Sequence, residues 1–152
     1  MAINALQVAW LSRLADKGII RPGASIIEFG PQDLLCSRRA VEIHSHLNPD
    51  WSKMDEIYDG EKPRPVKPAA FYELFGITNY KSVDGQDPRA DWLRNLNEPF
   101  RVSERFDIAT NFGTFEHVFN IAAACLVALR KAISRHFLHP MQGIYGGNPA
   151  TG

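Results

Sequence analysis

The sequence predicts an α/β fold with an open, mostly parallel sheet. Two apolar runs, residues 25–29 and 106–110, each end in a polar turn that carries a glycine and precedes a predicted helix. A third apolar run, residues 77–83, lies between them and ends at Asp84. In α/β proteins the carboxyl ends of parallel strands form the edge at which ligands bind. The three runs therefore predict neighbouring strands whose turns meet in one crevice.

The composition fits a single globular domain. The chain has 152 residues, of which 45% are hydrophobic and 22% are charged, and these values are ordinary for one domain. Seventeen basic residues balance seventeen acidic ones, which argues against a general nucleic-acid binder. No apolar run reaches the length of a membrane span, and the N-terminus lacks a signal-peptide pattern. We therefore expect a cytoplasmic protein that engages neither nucleic acid nor a membrane.

The chain divides into three predicted parts. Residues 1–24 form an N-terminal helix and lead-in, because apolar residues recur at three- and four-residue steps before Gly18. Residues 25–131 form the α/β domain. Residues 132–152 form an irregular tail, since glycines and prolines concentrate there, although a short strand within 135–140 is an alternative.

Within the α/β domain the elements follow from apolar spacing and from helix and strand breakers. Four prolines predict an irregular excursion over residues 48–70, because proline fits neither a helix interior nor a central strand. The other elements, in chain order, are a strand at 25–29, a helix at 34–47, a short helix before Gly76, a strand at 77–83, a weak strand at 92–96, a strand at 106–110 and a helix at 115–131.

The turn after the first strand is a candidate ligand site. Gly30 can adopt a positive φ and lets a ligand approach the backbone. The N–H groups at the start of the next helix suit polar or anionic groups. A tight structural turn is an equally good interpretation, because only one glycine is present where dinucleotide-binding turns have three.

Two further residues are candidates for chemistry. The carboxylate of Asp84 can accept hydrogen bonds from both hydroxyls of a ribose, although an acid before Gly85 is also a common turn residue. His117 can act as a general base, because its ordinary pKa lies near neutrality. Alternatively, Glu116 and His117 are ordinary residues of a helix start. His44 and His46 are two positions apart and do not face one ligand on a helix, so we predict no metal site.

Four segments together resemble the motifs of class I S-adenosylmethionine-dependent methyltransferases. Ile26-Ile-Glu-Phe-Gly30 is similar to the first motif, but Pro31-Gln-Asp33 stands where a further glycine is common. Asp84 matches the acid of the second motif, which binds the cofactor ribose. Trp92-Leu-Arg-Asn-Leu-Asn97 resembles the third motif, with Asn95 in place of an acid near the adenine amine.

The fourth segment carries the most specific resemblance. Phe106-Asp-Ile-Ala-Thr-Asn-Phe-Gly-Thr-Phe-Glu-His-Val118 resembles the fourth motif of a subgroup in which the strand runs into a Gly-Thr-x-Glu-His-Val helix start. The resemblance covers roughly residues 20–130 and implies a Rossmann-like sheet. The cofactor-binding residues that it implies are Glu28, Phe29, Gly30, Pro31, Gln32, Asp84, Asn95, Leu96, Asn111, Phe112 and Gly113.

The resemblance implies methyl transfer from S-adenosylmethionine to a small-molecule or saccharide acceptor, with His117 as the base for a hydroxyl acceptor. It also implies an incomplete methyltransferase fold, truncated at its C-terminal end, in which the fourth strand lies at or near an open sheet edge. Such an edge favours self-association. Two alternatives remain open at this stage, namely an inactive remnant and a nucleotide-binding α/β module without catalysis.

Overall fold

The computed structural model describes residues 2–44, 51–101 and 103–138. The helices are α1 (Ala5–Asp16), α2 (Arg38–His44), α3 (Met54–Ile57), α4 (Pro68–Glu73) and α5 (Ile121–Lys131), with 3-10 turns at Trp51–Lys53 and Phe115–His117. The strands are β1 (Ala2–Ile3), β2 (Ser25–Phe29), β3 (Asp33–Leu34), β4 (Tyr58–Asp59), β5 (Lys62–Pro63), β6 (Asn79–Asp84), β7 (Trp92–Leu93), β8 (Phe106–Asn111) and β9 (Ala132–Leu138).

A five-stranded parallel sheet with the order β7-β6-β2-β8-β9 forms the centre of the fold. Numbered along the chain, its strands have the order 3-2-1-4-5, which is typical of doubly wound α/β proteins. The register places Phe29 beside both Val83 and Asn111. The turns that follow β2, β6 and β8 therefore lie at one edge of the sheet. The prediction of an α/β fold with a mostly parallel sheet is confirmed.

Apolar side chains cover both faces of this sheet. Successive residues of a strand point to opposite faces, and β2 shows it directly. Ile26 belongs to a core with Val8 of α1 and Tyr72 of α4, whereas Ile27 belongs to a second core with Ala124 of α5. Because both faces are buried, apolar residues of β2 point to both of them, as in strands of covered parallel sheets, and Glu28 is a buried exception.

The N-terminal helix was predicted well, but the residues before Ala5 form a short strand and the helix cap. Asn4 caps α1 by accepting from the N–H groups of Leu6 and Gln7, and the Gln7 side chain accepts from the N–H of Asn4. This capping box starts the helix at Ala5. The preceding β1 pairs in parallel with β3. Because β3 occupies Asp33–Leu34, the helix predicted over 34–47 begins only at Arg38, and the end of that prediction lies outside the described residues.

The excursion predicted as irregular over 48–70 contains regular structure, so this prediction was wrong for its described part. A 3-10 turn and α3 lead into a hairpin of β4 and β5, in which Tyr58 pairs with Pro63. Ile57 and Tyr58 are fully buried, which anchors the segment on the core. Pro63 has no backbone N–H to donate. It is tolerated here because both strands of a two-stranded hairpin are edge strands.

The helix predicted over 115–131 is divided in two. Phe115–His117 is a single 3-10 turn, after which Val118 is extended and α5 begins at Ile121. The Asn120 side chain accepts from the N–H of Ala123 at 3.1 Å and caps the helix.

The irregular tail predicted over 132–152 was wrong for residues 132–138. These residues form β9, which pairs in parallel with β8, while residues 139–152 lie outside the described part of the chain. Strand β8 was expected at or near an open edge, and it lies one strand in from the edge, because β7 and β9 are the outer strands of the sheet as described. Among the described residues, no helix combines the length and apolarity that crossing a membrane requires.

Candidate functional site

A pocket of about 480 Å³ opens at the carboxyl edge of the sheet. Its lining comes from the segments after β6, β7 and β8, and consists of Asp84, Gly85, Gln86, Asn95, Leu96, Asn97, Thr114, His117 and Val118. The volume falls within the roughly 300–1,000 Å³ of small-molecule sites. Four of the residues predicted from the sequence are thus brought together, namely Asp84, Asn95, Leu96 and His117.

Asp84 forms the wall that follows β6. Its Oδ1 accepts from the backbone N–H of Gln86 at 2.7 Å and from that of Asp87 at 2.8 Å. The side chain therefore closes its own turn, as the structural interpretation of Asp84 requires. Within the described part of the chain Oδ2 accepts no hydrogen bond, and an ionised carboxylate offers about two further acceptor positions there. Asp84 can hold the turn and bind a ligand at the same time.

The segment after β7 forms the second wall. The Asn95 Oδ1 accepts from the backbone N–H of Asn97 at 3.1 Å, and its Nδ2 donates to Glu98 at 2.8 Å. Leu96 is almost fully buried in the core below. The Asn97 Oδ1 in turn accepts a hydrogen bond from the backbone N–H of Asn120 at 2.9 Å. The second wall is therefore tied to the segment that leads into α5.

The turn after β8 forms the third wall. The buried Asn111 accepts from the backbone N–H groups of Thr114 and Phe115 at 3.0 and 3.1 Å, which fixes the start of the 3-10 turn. The hydroxyl of Thr114 donates to the backbone carbonyl of Phe29 at 2.5 Å and joins this turn to the end of β2. His117 is exposed on the same turn and reaches the pocket. The hydrogen bonds of Asn111 and Thr114 thus fix the turn that carries His117.

The glycine turn after β2 lies beside the pocket, outside its lining. Gly30 has a φ of 78° and donates its N–H to Val83 at 2.9 Å. The Gln32 side chain spans the turn, because its Nε2 donates to the Gly30 carbonyl at 2.7 Å. The Gln32 Oε1 is buried and has no hydrogen-bond partner among the described residues. The turn therefore contains one buried hydrogen-bond acceptor that no donor of the described residues uses.

Glu28 faces the core beneath this turn. It is completely buried and accepts from the hydroxyls of Tyr72 at 2.5 Å and Tyr80 at 2.6 Å, and from the Gln32 N–H at 3.3 Å. Burial raises the pKa of Glu28 to about 7, although the three donors oppose that increase. Its oxygens are held by the protein, so Glu28 supports the turn from below.

The other predicted cofactor residues also lie outside the pocket lining. Phe29 packs edge-on against Phe115, with ring centroids 5.0 Å apart, and Phe112 packs edge-on against Trp10 of α1. Gly113 has a φ of 102°, which the turn after β8 requires. The residues not found in the lining are Glu28, Phe29, Gly30, Pro31, Gln32, Asn111, Phe112 and Gly113.

Arg89 bridges the glycine turn and the segment after β6, and sequence reasoning missed it. Its guanidinium donates to Asp33, to Asp87 at 2.7 Å and to the Pro31 carbonyl at 3.5 Å. The paired carboxylates raise the pKa of Arg89, and Arg89 lowers that of Asp87. Sequence reasoning also missed Gly85, Gln86, Asn97, Thr114 and Val118 as lining residues, although Thr114 and Val118 lie within the fourth motif segment.

Comparison of the chain with protein-family models, with curated proteins and with solved structures finds no match. Among the described residues, no group of three or more His, Cys, Asp or Glu side chains is placed to hold a metal ion. The chemistry of the site therefore has to be inferred from its own residues.

Proposed function

We propose that this chain is a methyltransferase that takes its methyl group from S-adenosylmethionine. One observation carries the proposal. Three of the four segments that resemble class I methyltransferase motifs line a single pocket, at the sheet edge where doubly wound folds bind ligands. The segments are far apart in the sequence, and only the parallel sheet brings Asp84, Asn95 and His117 together.

The residues present fit the nucleoside part of the cofactor. The unused Oδ2 of Asp84 can accept from the ribose hydroxyls, since a carboxylate is an acceptor only. The Asn95 amide and the small exposed part of Leu96 supply polar and apolar contacts for the base. We place the amino-acid part toward the glycine turn, which lies beside the pocket and is joined to its third wall through Thr114. S-adenosylmethionine, when bound, supplies a methyl group that is already activated on a sulfonium.

The chain's own contribution is positioning and proton transfer. The walls of the pocket are fixed by hydrogen bonds within the protein, so that little conformational freedom is lost when a ligand binds. We assign His117 as the base that takes the proton of a hydroxyl acceptor, because its imidazole is exposed in the pocket. The acceptor is a small molecule or a saccharide, and the proposed location is the cytoplasm.

A second candidate is a nucleotide-binding module without catalysis. It is favoured by the glycine turn, in which Glu28 is enclosed by two tyrosines and Arg89 ties Pro31 to the segment after β6. In this account the pocket holds a nucleoside and no second substrate.

Titration calorimetry with S-adenosylhomocysteine tests the proposed cofactor site. Asp84→Asn keeps an oxygen for the turn N–H groups and removes the charge that faces the ligand. Because hydrogen bonds to charged groups contribute about 1.5–3 kcal/mol, we expect affinity to fall roughly ten- to a hundredfold. Asp59→Asn makes the same change at an exposed position outside the pocket lining and should leave affinity unchanged. Equal affinities for the Asp84→Asn variant and the parent chain would remove Asp84 from the site.

A further inference from the structure

A fully exposed phenylalanine stands directly beside the pocket. Phe119 has 100% of its surface exposed, although it follows Val118, which is buried and lines the pocket. A fully exposed aromatic ring next to a concave site offers a large, rigid apolar contact surface to a ligand. The proposed functions above give this ring no role.

The backbone holds Phe119 in place from both sides. On one side, the Val118 N–H donates to the Phe115 carbonyl at 3.1 Å. On the other side, Asn120 donates its backbone N–H to the Asn97 Oδ1 at 2.9 Å and its side-chain Nδ2 to the Asn97 carbonyl at 3.3 Å. Asn120 also caps α5. The exposed ring therefore projects from an anchored segment between two walls of the pocket.

Val118 separates two exposed side chains. Its own side chain is buried and lines the pocket, and its φ of −99° and ψ of 122° are those of an extended residue that follows the 3-10 turn. The residues on either side of it, His117 and Phe119, are both exposed, and His117 also lines the pocket. An exposed imidazole and an exposed apolar ring therefore flank one lining residue of the pocket.

We propose that Phe119 is the platform on which the methyl acceptor stacks, and that the acceptor is a saccharide ring. This inference rests on the proposed methyltransferase function. A pyranose ring has an apolar face of C–H groups that packs on an aromatic ring, and hydroxyls at its edge. With one face on Phe119, such a ring presents an edge hydroxyl to His117. The amides of Gln86 and Asn97 supply further hydrogen-bond partners for a hydroxyl-rich ligand.

Saturation-transfer difference NMR tests the platform directly. The probes are a panel of methyl pyranosides and a panel of simple phenols, each added to the full chain with saturating S-adenosylhomocysteine. Three variants are compared with the parent chain. Phe119→Ser removes the ring, Phe119→Tyr retains it, and Leu126→Ser removes another exposed apolar side chain, one that lies on α5 outside the pocket lining.

We expect at least one methyl pyranoside to receive saturation at its ring C–H protons. Stacking of this kind changes affinity by roughly tenfold, so Phe119→Ser should weaken binding by about that factor while S-adenosylhomocysteine binds as before. Phe119→Tyr and Leu126→Ser should both retain sugar binding. Each variant's circular dichroism spectrum and S-adenosylhomocysteine affinity report that it is folded.

Three results overturn the inference. If the methyl pyranosides receive as much saturation from Phe119→Ser as from the parent chain, the acceptor does not stack on Phe119. Contacts with phenols alone, or with neither panel, exclude a saccharide acceptor while S-adenosylhomocysteine binding leaves the cofactor site intact. Failure of the parent chain to bind S-adenosylhomocysteine removes the proposed function and the platform together.

Discussion

Replacing Glu28 by glutamine should stabilise the protein at alkaline pH and leave it nearly unchanged in acid. Glu28 is completely buried, and its pKa is raised from 4.5 to about 7. A folded-state pKa above the unfolded value means that folding favours the protonated form. Its contribution to stability is therefore fully present below about pH 4.5, and it is lost as the pH rises through 7.

The magnitude follows from the size of the pKa shift. Each unit corresponds to about 1.4 kcal/mol, so a shift from 4.5 to about 7 changes the free energy of unfolding by about 3 kcal/mol between acid and alkaline pH. Glutamine has no charge to bury. Its amide can still accept from one tyrosine hydroxyl and donate to the other, so the contacts with Tyr72 and Tyr80 remain possible.

The assay is urea unfolding at about pH 5 and about pH 8, followed by circular dichroism. We expect Glu28→Gln to gain about 2.5 kcal/mol relative to the parent chain on going from the lower to the higher pH, slightly less than the full shift because pH 5 lies above the unfolded-state pKa of 4.5. Carboxylates with lowered pKa values, such as Asp87, affect both proteins equally and cancel. Glu56→Gln changes an exposed glutamate of α3 and should show no such pH-dependent difference. A Glu28→Gln difference that is the same at both pH values would refute the buried-charge account.

Two further substitutions test the turns that shape the site. Gly76→Ala should cost at least about 1 kcal/mol more than Gly18→Ala in urea unfolding. Both glycines have positive φ, but a Cβ at Gly76 meets Pro22 at 3.0 Å, whereas one at Gly18 meets nothing within 4 Å. Equal costs would contradict this packing. Asn111→Ala should cost about 2–3 kcal/mol in the same assay, because the buried N–H groups of Thr114 and Phe115 lose their acceptor. A loss below about 0.5 kcal/mol would mean that Asn111 does not fix this turn.

Local sequence patterns predicted the centre of the fold well. Strand β2 was placed correctly because Ser25–Phe29 is an apolar run that ends at a glycine, and both of its faces are buried. The existence of α1 and its C-terminal end followed from spacing and from Gly18, whereas its start at Ala5 did not. The hairpin of β4 and β5 was missed, and β9 was anticipated only as the alternative of a short strand within 135–140, because each depends on pairing with a partner strand that the local pattern does not reveal.

The site was predictable only in part, for a related reason. Asp84 and His117 were predicted from their places at strand ends and Asn95 from the motif resemblance, and the pocket brings the three together because parallel strands align their carboxyl ends. The enclosure of Glu28 was not predictable, since one of the hydroxyls that hold it comes from Tyr72, 44 positions later. The link between Asn97 and Asn120 spans 23 positions and depends on the division of the last helix at Val118.

The measurement that tests the central claim most directly is a parallel calorimetric titration of the chain with S-adenosylhomocysteine, adenosine and ATP. We expect S-adenosylhomocysteine to bind in the micromolar range and more tightly than the other two, because only it uses both the nucleoside pocket and the glycine turn. Equal or tighter binding of adenosine or ATP, or no binding of S-adenosylhomocysteine to the folded chain, would contradict the methyltransferase account.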